Sequence, residues 1–197
     1  MIEINNIDKY FSKNALFKNY SQKFTHEKTC LSAPNGIGKT TLLCMIAGVD
    51  IAFSGQILLQ NKEVKKRQNC VALASDNIPY PSFLPAKELL NLTSTAWQCD
   101  FPAELIHDFQ FDPFLNTRYE DLSSGNKKKL QLINALMRNT PYLLLDEPTA
   151  ALDAAGCEYI VEVVSNYEGM VLMTSHEPEP FLQVGFHCVP LIPKPSN

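Results

Sequence analysis

The sequence has few glycines, no closely spaced cysteine pair and no long apolar run. The six cysteines occur singly and several lie in apolar stretches, so we expect reduced core residues of a cytosolic protein. No apolar stretch approaches the roughly 18–20 residues that span a bilayer. The N-terminus, Met-Ile-Glu-Ile-Asn-Asn, lacks the basic and apolar regions of a signal peptide. These absences predict a cytoplasmic chain that does not insert into a membrane by itself.

Charge and length narrow the class of protein further. The net charge of −4 gives no broad electrostatic reason to bind nucleic acid, so no nucleic-acid partner is expected. Apolar residues make up 45% of the chain and charged residues 19%, which is typical of a folded globular protein. A chain of 197 residues is long enough for one domain, or one domain with a small subdomain.

Two of the eight glycines fall in one short segment, Ala-Pro-Asn-Gly-Ile-Gly-Lys-Thr-Thr at residues 33–41. Residues 29–32 before it are strand-like, and residues 39–47 after it have the apolar pattern of a buried helix that ends near Gly48. Strand, loop and helix in this order are the context of a phosphate-binding loop, and they argue against a chance turn. Ala33 stands where the usual pattern has its first glycine.

A phosphate chain needs backbone N–H donors, a helix N-terminus and a mobile cation, and this segment offers all three. Gly36 and Gly38 let the backbone curl towards the phosphates without a Cβ clash. Lys39 is predicted to reach the β- and γ-phosphates, and the Thr40 hydroxyl to ligate Mg²⁺. The residues predicted to bind the nucleotide here are Asn35, Gly36, Ile37, Gly38, Lys39, Thr40 and Thr41.

An apolar strand, Tyr142–Leu145, delivers two carboxylates to the edge of a predicted sheet. Asp146 is predicted to hold Mg²⁺, and Glu147 to orient or deprotonate an attacking water. The alternative is a solvated acidic turn before Pro148, which the presence of the phosphate loop disfavours. Together the two segments predict a protein that binds ATP with Mg²⁺ and hydrolyses the nucleotide.

Strands that alternate with helices predict an α/β fold with a mostly parallel central sheet covered on both faces. Residues 85–120 are mainly helical in pattern. We therefore assign residues 1–76 and 136–197 to a nucleotide-binding core and residues 77–135 to a small helical subdomain.

The segment Leu122-Ser123-Ser124-Gly125-Asn126-Lys127 resembles the signature of the ATP-binding cassette (ABC) family, usually Leu-Ser-Gly-Gly-Gln followed by a base. Ser123 is suited to cap the N-terminus of a helix. In the family that helix end meets the γ-phosphate held by a second subunit. The resemblance implies a head-to-tail dimer in which Ser123 and Gly125 contact the partner's ATP, and a fold with an N-terminal antiparallel β part. A simple Ser-capped basic helix is the alternative.

Three further positions match the family in the expected order. Asp153 lies in a segment that resembles the loop through which the two subunits sense each other. The apolar pattern predicts a strand at Met170–Thr174, and His176, after this strand, resembles the switch histidine that contacts the γ-phosphate. Tyr10, with Phe11 as the alternative, resembles the aromatic residue that stacks on adenine. A lone histidine is more often structural, and an aromatic near an N-terminal strand is often part of the core.

The match fails at one position. The family usually has a glutamine after the Cys70–Ala74 strand, where this chain has Asp76. An aspartate there still implies a Mg²⁺ ligand, but either coupling to transport is tuned differently or hydrolysis is slow. The run Lys127-Lys128-Lys129 is interpreted as a solvated helix face, and the alternative is that these lysines help position the signature helix.

The resemblance implies a nucleotide-binding subunit of an ABC transporter. Such a subunit works as a homodimer or paired cassette, peripheral on the inner face of the cell membrane, and drives a separate integral membrane subunit that docks near residues 76–95. The short chain, the altered glutamine and the Leu-Ser-x-Gly signature are similar to the haem-exporter ATPases of cytochrome c maturation. The alternatives are a soluble ABC ATPase of an assembly process, such as iron–sulfur cluster assembly, and a weakly hydrolysing regulatory cassette.

Overall fold

Two β-sheets lie at the centre of the fold, one antiparallel and one parallel. The computed structural model describes residues 1–12, 14–63 and 68–192. Within these residues the strands are β1 (Ile2–Phe11), β2 (Asn14–Phe24), β3 (Lys28–Ser32), β4 (Ser54–Leu59), β5 (Lys62–Glu63), β6 (Val71–Ala74), β7 (Tyr142–Asp146), β8 (Met170–Thr174) and β9 (His187–Pro190). The helices are α1 (Lys39–Ile46), α2 (Ala86–Trp97), α3 (Ala103–Asp108), α4 (Ser124–Leu136), α5 (Ala154–Ser165) and α6 (Glu179–Gln183).

The antiparallel sheet has the strand order β2-β1-β4-β5. β1 pairs with both β2 and β4, and its register against β2 shifts three times between Ile4 and Tyr10. Asn6 at the first shift has a positive φ of 51°. The sheet confirms the N-terminal antiparallel part that the family resemblance implied.

The parallel sheet has the strand order β6-β7-β8-β3-β9, with every pairing parallel. Every residue of β7 and of β8 is buried, as expected for strands covered on both faces. Because the strands are parallel, the carboxyl ends of β3, β6, β7 and β8 lie at the same edge of the sheet. Ligands bind at this edge in open α/β folds. This arrangement confirms the predicted α/β class.

Side chains of β7 alternate between two apolar clusters on opposite faces of the sheet. Leu143 and Leu145 pack with residues of α4 and α5, such as Ile133 and Ile160. Leu144 packs on the other face with α1 and with the antiparallel sheet. No helix among the described residues combines the length and apolarity needed to cross a bilayer.

The predicted helical segment contains α2, α3 and two 3-10 turns, Asp112–Phe114 and Tyr119–Asp121. α4 follows it and packs against β6 and β7 rather than only against other helices. The division into residues 1–76 with 136–197 and residues 77–135 stays a prediction. Residues 13, 64–67 and 193–197 of the predicted core lie outside the described residues.

Gly55 in β4 provides a test of how closely β4 approaches β1. Its φ is +93°, and a Cβ built there would lie 2.4 Å from the Asn6 carbonyl oxygen. Gly185 has a similar φ of +91° but no heavy atom within 4 Å of a built Cβ. We expect Gly185→Ala to lower the unfolding free energy by about 1–2 kcal/mol through backbone strain. Gly55→Ala should cost roughly 1–3 kcal/mol more through the clash. Urea unfolding of the two variants checks this, and equal losses would contradict the clash.

Candidate active site

The phosphate loop lies between the end of β3 and the start of α1. Gly36 and Gly38 have φ angles of +78° and +105°, which side chains other than glycine rarely adopt. A Cβ on Gly38 would also lie 2.9 Å from atoms of Leu16 and Phe17. Glycine at position 38 is thus required by both the backbone and the packing of β2 against the loop.

Lys39, the first residue of α1, is buried, and the loop curls around its ammonium group. Nζ donates to the carbonyl oxygen of Ala33 at 2.8 Å and lies 3.4 Å from that of Pro34 and 3.5 Å from Asn35 Oδ1. These partners are neutral oxygens, so they stabilise the lysine without cancelling its charge. The loop presents a positive centre next to a helix N-terminus, a combination that suits a phosphate group.

A cavity of about 460 Å³ opens beside this loop. It brings residues of the phosphate loop together with Glu147 and His176, which are distant in sequence. Phe11, the alternative aromatic, lines the cavity, whereas Tyr10 is not among the described residues that do. The adenine-stacking role of either aromatic stays a prediction. The lining residues are Phe11, Leu16, Asn35, Gly36, Gly38, Lys39, Thr40, Thr41, Glu147 and His176.

Hydroxyl groups from three elements hold the Asp146 carboxylate at the end of β7. Oδ1 accepts hydrogen bonds from Thr40 Oγ1 at 3.0 Å and from Thr174 Oγ1 at 2.9 Å. Oδ2 accepts one from Ser75 Oγ at 2.9 Å. Mg²⁺ prefers oxygen ligands, and the Thr40 hydroxyl and Asp146 carboxylate are adjacent, so these residues fit the ion that the sequence predicted there.

Sequence reasoning missed Ser75 and Thr174. Ser75 follows β6 and Thr174 ends β8, and these strands flank β7 in the sheet. The sequence predicted the strands but not their order, so it did not indicate which strand ends meet Asp146. A small hydroxyl residue at the end of each apolar strand was the available signal.

Glu147 follows Asp146 in a left-handed conformation with φ of +49°. Its N–H donates to Thr174 Oγ1 at 3.0 Å. Its carboxylate accepts the His176 backbone N–H at 3.1 Å through Oε2, and Oε1 lies 3.4 Å from His176 Nε2. A strained backbone at a cavity wall is typical of functional sites, and here it turns the carboxylate towards His176.

The signature segment forms the N-terminus of α4. Ser123 is the N-cap, and its Oγ accepts the Asn126 N–H at 3.2 Å, which confirms the predicted cap. A Cβ on Gly125 would lie 2.6 Å from the Ala151 carbonyl oxygen, so glycine permits close contact between the two backbones. Ser123 and Gly125 are not among the described residues that line the Lys39 cavity of their own chain.

Asp153 is the N-cap of α5. Its Oδ1 accepts the Gly156 N–H at 2.9 Å, and its Oδ2 forms an ion pair with Lys129 Nζ at 2.9 Å. The Lys129 contact first, and then the Gly156 N–H, holds the pKa of the Asp153 carboxyl below its usual range. These contacts lie within one chain, and the predicted role of Asp153 between subunits stays a prediction.

The solvated-face interpretation of the lysine run is wrong for two of its three members. Lys128 and Lys129 are buried, because α4 packs against the parallel sheet and against the start of α5. Lys127 is half-buried, lies over the Tyr119 ring at 5.4 Å and donates to the Glu120 carbonyl oxygen at 3.1 Å.

Asp76 does not join the hydroxyl groups around the Asp146 carboxylate. Its Oδ1 forms an ion pair with Lys128 Nζ at 2.8 Å. It lines a separate cavity of about 220 Å³, together with residues of α4 and Ala150 and Ala151. The structure therefore does not bring Asp76 together with Thr40, and its metal-binding role stays a prediction.

Comparison with known proteins gives a family match that includes the phosphate loop, the signature segment and the end of β7. The family model described as "ABC transporter" matches residues 18–150. The chain is 29% identical to the cytochrome c biogenesis ATP-binding export protein CcmA of Wolbachia pipientis wMel, over 89% of each chain. It is 30% identical to the ABC transporter ATP-binding protein YtrB of Bacillus subtilis (strain 168), over 91% of this chain and 64% of the relative. A solved dimeric ATP-binding cassette in a post-hydrolysis state with ADP and Pi superposes with a TM-score of 0.82 at 20% identity, covering 97% of this chain and 94% of that one.

Thr174 links the two acidic residues, and its removal should show the cost of that link. Thr174→Val removes a donor from the Asp146 carboxylate and the acceptor of the Glu147 N–H. We expect a loss of roughly 1–3 kcal/mol in unfolding free energy, measured by urea denaturation. Thr29→Val is the control, because Thr29 is equally buried but makes a single 3.3 Å bond to the His26 carbonyl oxygen. Equal losses in the two variants would contradict the proposed link.

Proposed function

Because the chain belongs to the ABC transporter family, we propose that it is the ATP-binding subunit of a transporter and works as a head-to-tail dimer on a separate membrane subunit. Membership makes it an ABC ATPase that uses ATP with Mg²⁺. The observation that carries the proposal is the convergence of Lys39, Glu147 and His176 on one cavity, with Asp146 fixed next to Thr40.

In the proposed reaction Glu147 activates the attacking water. The water oxygen forms a bond to the γ-phosphorus, the bond from that phosphorus to the β,γ-bridging oxygen breaks, and Glu147 takes a proton from the water. The two contacts from His176 support this role because they orient the carboxylate. His176 is also proposed to hold the γ-phosphate.

Lys39 and the loop amides bind and orient the phosphates in this proposal. Charge neutralisation matters more than covalent chemistry in such transfers, and Lys39 keeps its charge because its partners are neutral oxygens. Thr40 and Asp146 would hold Mg²⁺, which neutralises charge on the β- and γ-phosphate oxygens when bound. Ser75 and Thr174 then serve to fix the Asp146 carboxylate.

The dimer proposal rests on the position of the signature segment. Ser123 and Gly125 lie at the start of α4, apart from the described residues that line the Lys39 cavity of the same chain. An ATP phosphate that they contact must therefore belong to a second copy. Two copies related by a two-fold axis would bury two ATP molecules between them.

The membrane subunit is proposed to dock near residues 76–95. Phe83 and Leu92 support this position because 66% and 57% of their surfaces are exposed, although both are large and apolar.

Export of haem or of another small molecule is the proposed transport activity. The chain is 29% identical to CcmA and 30% identical to YtrB, so the identities do not favour haem over another small molecule as the exported substrate.

A weakly hydrolysing regulatory cassette is the second candidate. The specific observation is that Asp76 is engaged by Lys128 instead of lying with Thr40.

A soluble ABC ATPase of an assembly process, such as iron–sulfur cluster assembly, is the third candidate. The identity of the partner protein distinguishes this candidate from the transporter subunit. If the chain is a transporter subunit, affinity purification of the tagged chain from detergent-solubilised membranes should retain an integral membrane protein. An exclusively soluble partner would favour the assembly process.

Glu147→Gln tests the hydrolytic assignment. The amide cannot accept the water's proton, so turnover should fall by about 10²–10⁴-fold while ATP binding is kept. The trapped nucleotide should produce an ATP-dependent dimer on size-exclusion chromatography with light scattering. Glu158→Gln is the matched control, since it makes the same change on the exposed side of α5. Wild-type turnover in the Glu147 variant would refute the role of Glu147.

A further inference from the structure

We propose that Asp76 and Lys128 form a positioning pair that fixes the signature helix α4 against the carboxyl end of β7, and that Asp76 serves this pair instead of a metal ion. The inference rests on the proposed function only for its effect on turnover. The pair itself is a property of the fold.

Lys128 is a buried cation, and Asp76 is the carboxylate that pairs with it among the residues that the structure describes. Only 4% of its side chain is exposed, against 72% for Asp76. Its Nζ lies 2.8 Å from Asp76 Oδ1 and 3.4 Å from the main-chain oxygen of Asp146. Taking an ammonium group out of water is costly unless it is paired and hydrogen-bonded. Asp76 is therefore the residue that makes a buried lysine at position 128 acceptable.

The pair joins two segments that meet at Asp146. Lys128 binds the Asp146 main-chain oxygen from α4, while Ser75, next to Asp76, binds the Asp146 carboxylate. The turn is closed by the Asn77 N–H, which lies 3.3 Å from Ser75 Oγ. Asp146, at the centre of the proposed metal site, is thus bound by Lys128 of the ion pair and by Ser75, the residue before Asp76.

The next lysine attaches the same helix turn to a different element. Consecutive residues of an α-helix point about 100° apart. Lys128 therefore faces Asp76 and β7, while Lys129 faces Asp153 at the start of α5. Two ion pairs on two sides fix the second turn of α4, directly after the turn that contains Gly125 and is capped by Ser123.

Use of Asp76 as a metal ligand would conflict with this arrangement. A cation bound to the Asp76 carboxylate would weaken its attraction for Lys128 and leave the buried ammonium with the Asp146 carbonyl oxygen. Asp76 also lines the 220 Å³ cavity beside α4, not the cavity of the phosphate loop. Both observations favour the ion pair over the metal.

A double-mutant cycle tests the pair. Asp76→Asn strands the buried charge of Lys128, so the midpoint of thermal unfolding should fall by about 3–6 °C. Lys128→Met in the same chain removes that charge with a side chain of similar size, and the double variant should recover to within about 2 °C of wild type. Additive effects of the two changes would overturn the pair. This readout needs no ATP turnover, so it stands even if the proposed function fails.

Turnover of the same variants separates positioning from metal binding. At 20 °C, with every variant folded and Mg²⁺ saturating, Asp76→Asn should lower kcat about tenfold, and Lys128→Met should restore it to within about threefold. The Mg²⁺ concentration for half-maximal rate should change less than about twofold. A tenfold rise in that concentration, unrelieved by Lys128→Met, would overturn the proposal in favour of a metal ligand. If Asp76→Asn left kcat unchanged while the thermal unfolding midpoints of the variants showed coupling, the positioning role would be overturned.

Two further variants control for charge and for reach. Lys62→Met removes an exposed positive charge of β5 that is not part of the pair or of the site, and kcat should stay within about twofold of wild type. Asp76→Glu keeps the carboxylate and should retain most of the stability and turnover. Loss in Asp76→Glu as large as in Asp76→Asn would show that charge pairing is not what position 76 supplies.

Discussion

The position of the Asp146 carboxylate is the constraint on which the rest of the site depends. Hydroxyl groups from α1, from the residue after β6 and from the end of β8 all bind it. Those three contacts require β6, β7 and β8 to be neighbours and α1 to start beside them, so the parallel sheet and the phosphate loop are fixed with respect to each other. The Thr174 hydroxyl that binds Asp146 also accepts the Glu147 N–H, so it orients the Glu147 backbone as well.

The local elements near this point were predictable because each has a short-range signal. The loop of residues 33–41, the helix from Lys39 and the strand Met170–Thr174 follow from glycine placement and apolar pattern, and the structure confirms their type and approximate bounds. Strand order is a tertiary property without such a signal. Ser75 and Thr174 could therefore not be connected to Asp146 from sequence, although the strand that each one follows or ends was predicted.

Two features lay outside what simple periodicity along an element predicts. β1 shifts its register against β2 between Ile4 and Tyr10, so alternation along the strand could not indicate which of Tyr10 and Phe11 faces the phosphate loop. In α4 the residues from Lys128 to Leu136 are all buried, so a polar run on it did not mark a solvated face. A charge run predicts exposure only where the helix has a free side.

The buried lysines Lys39, Lys128 and Lys129 differ in the kind of group that binds each ammonium. Lys128 and Lys129 pair with carboxylates, which cancels their charge and makes them attachments of α4. Lys39 is bound by carbonyl and amide oxygens, so its charge remains to attract an anion. A phosphate is therefore favoured at the loop. The start of α4 offers Ser123 and backbone N–H groups, and the described residues there include no buried lysine that lacks a carboxylate partner. This asymmetry supports the proposal that the signature helix completes a site whose main positive charge comes from another chain.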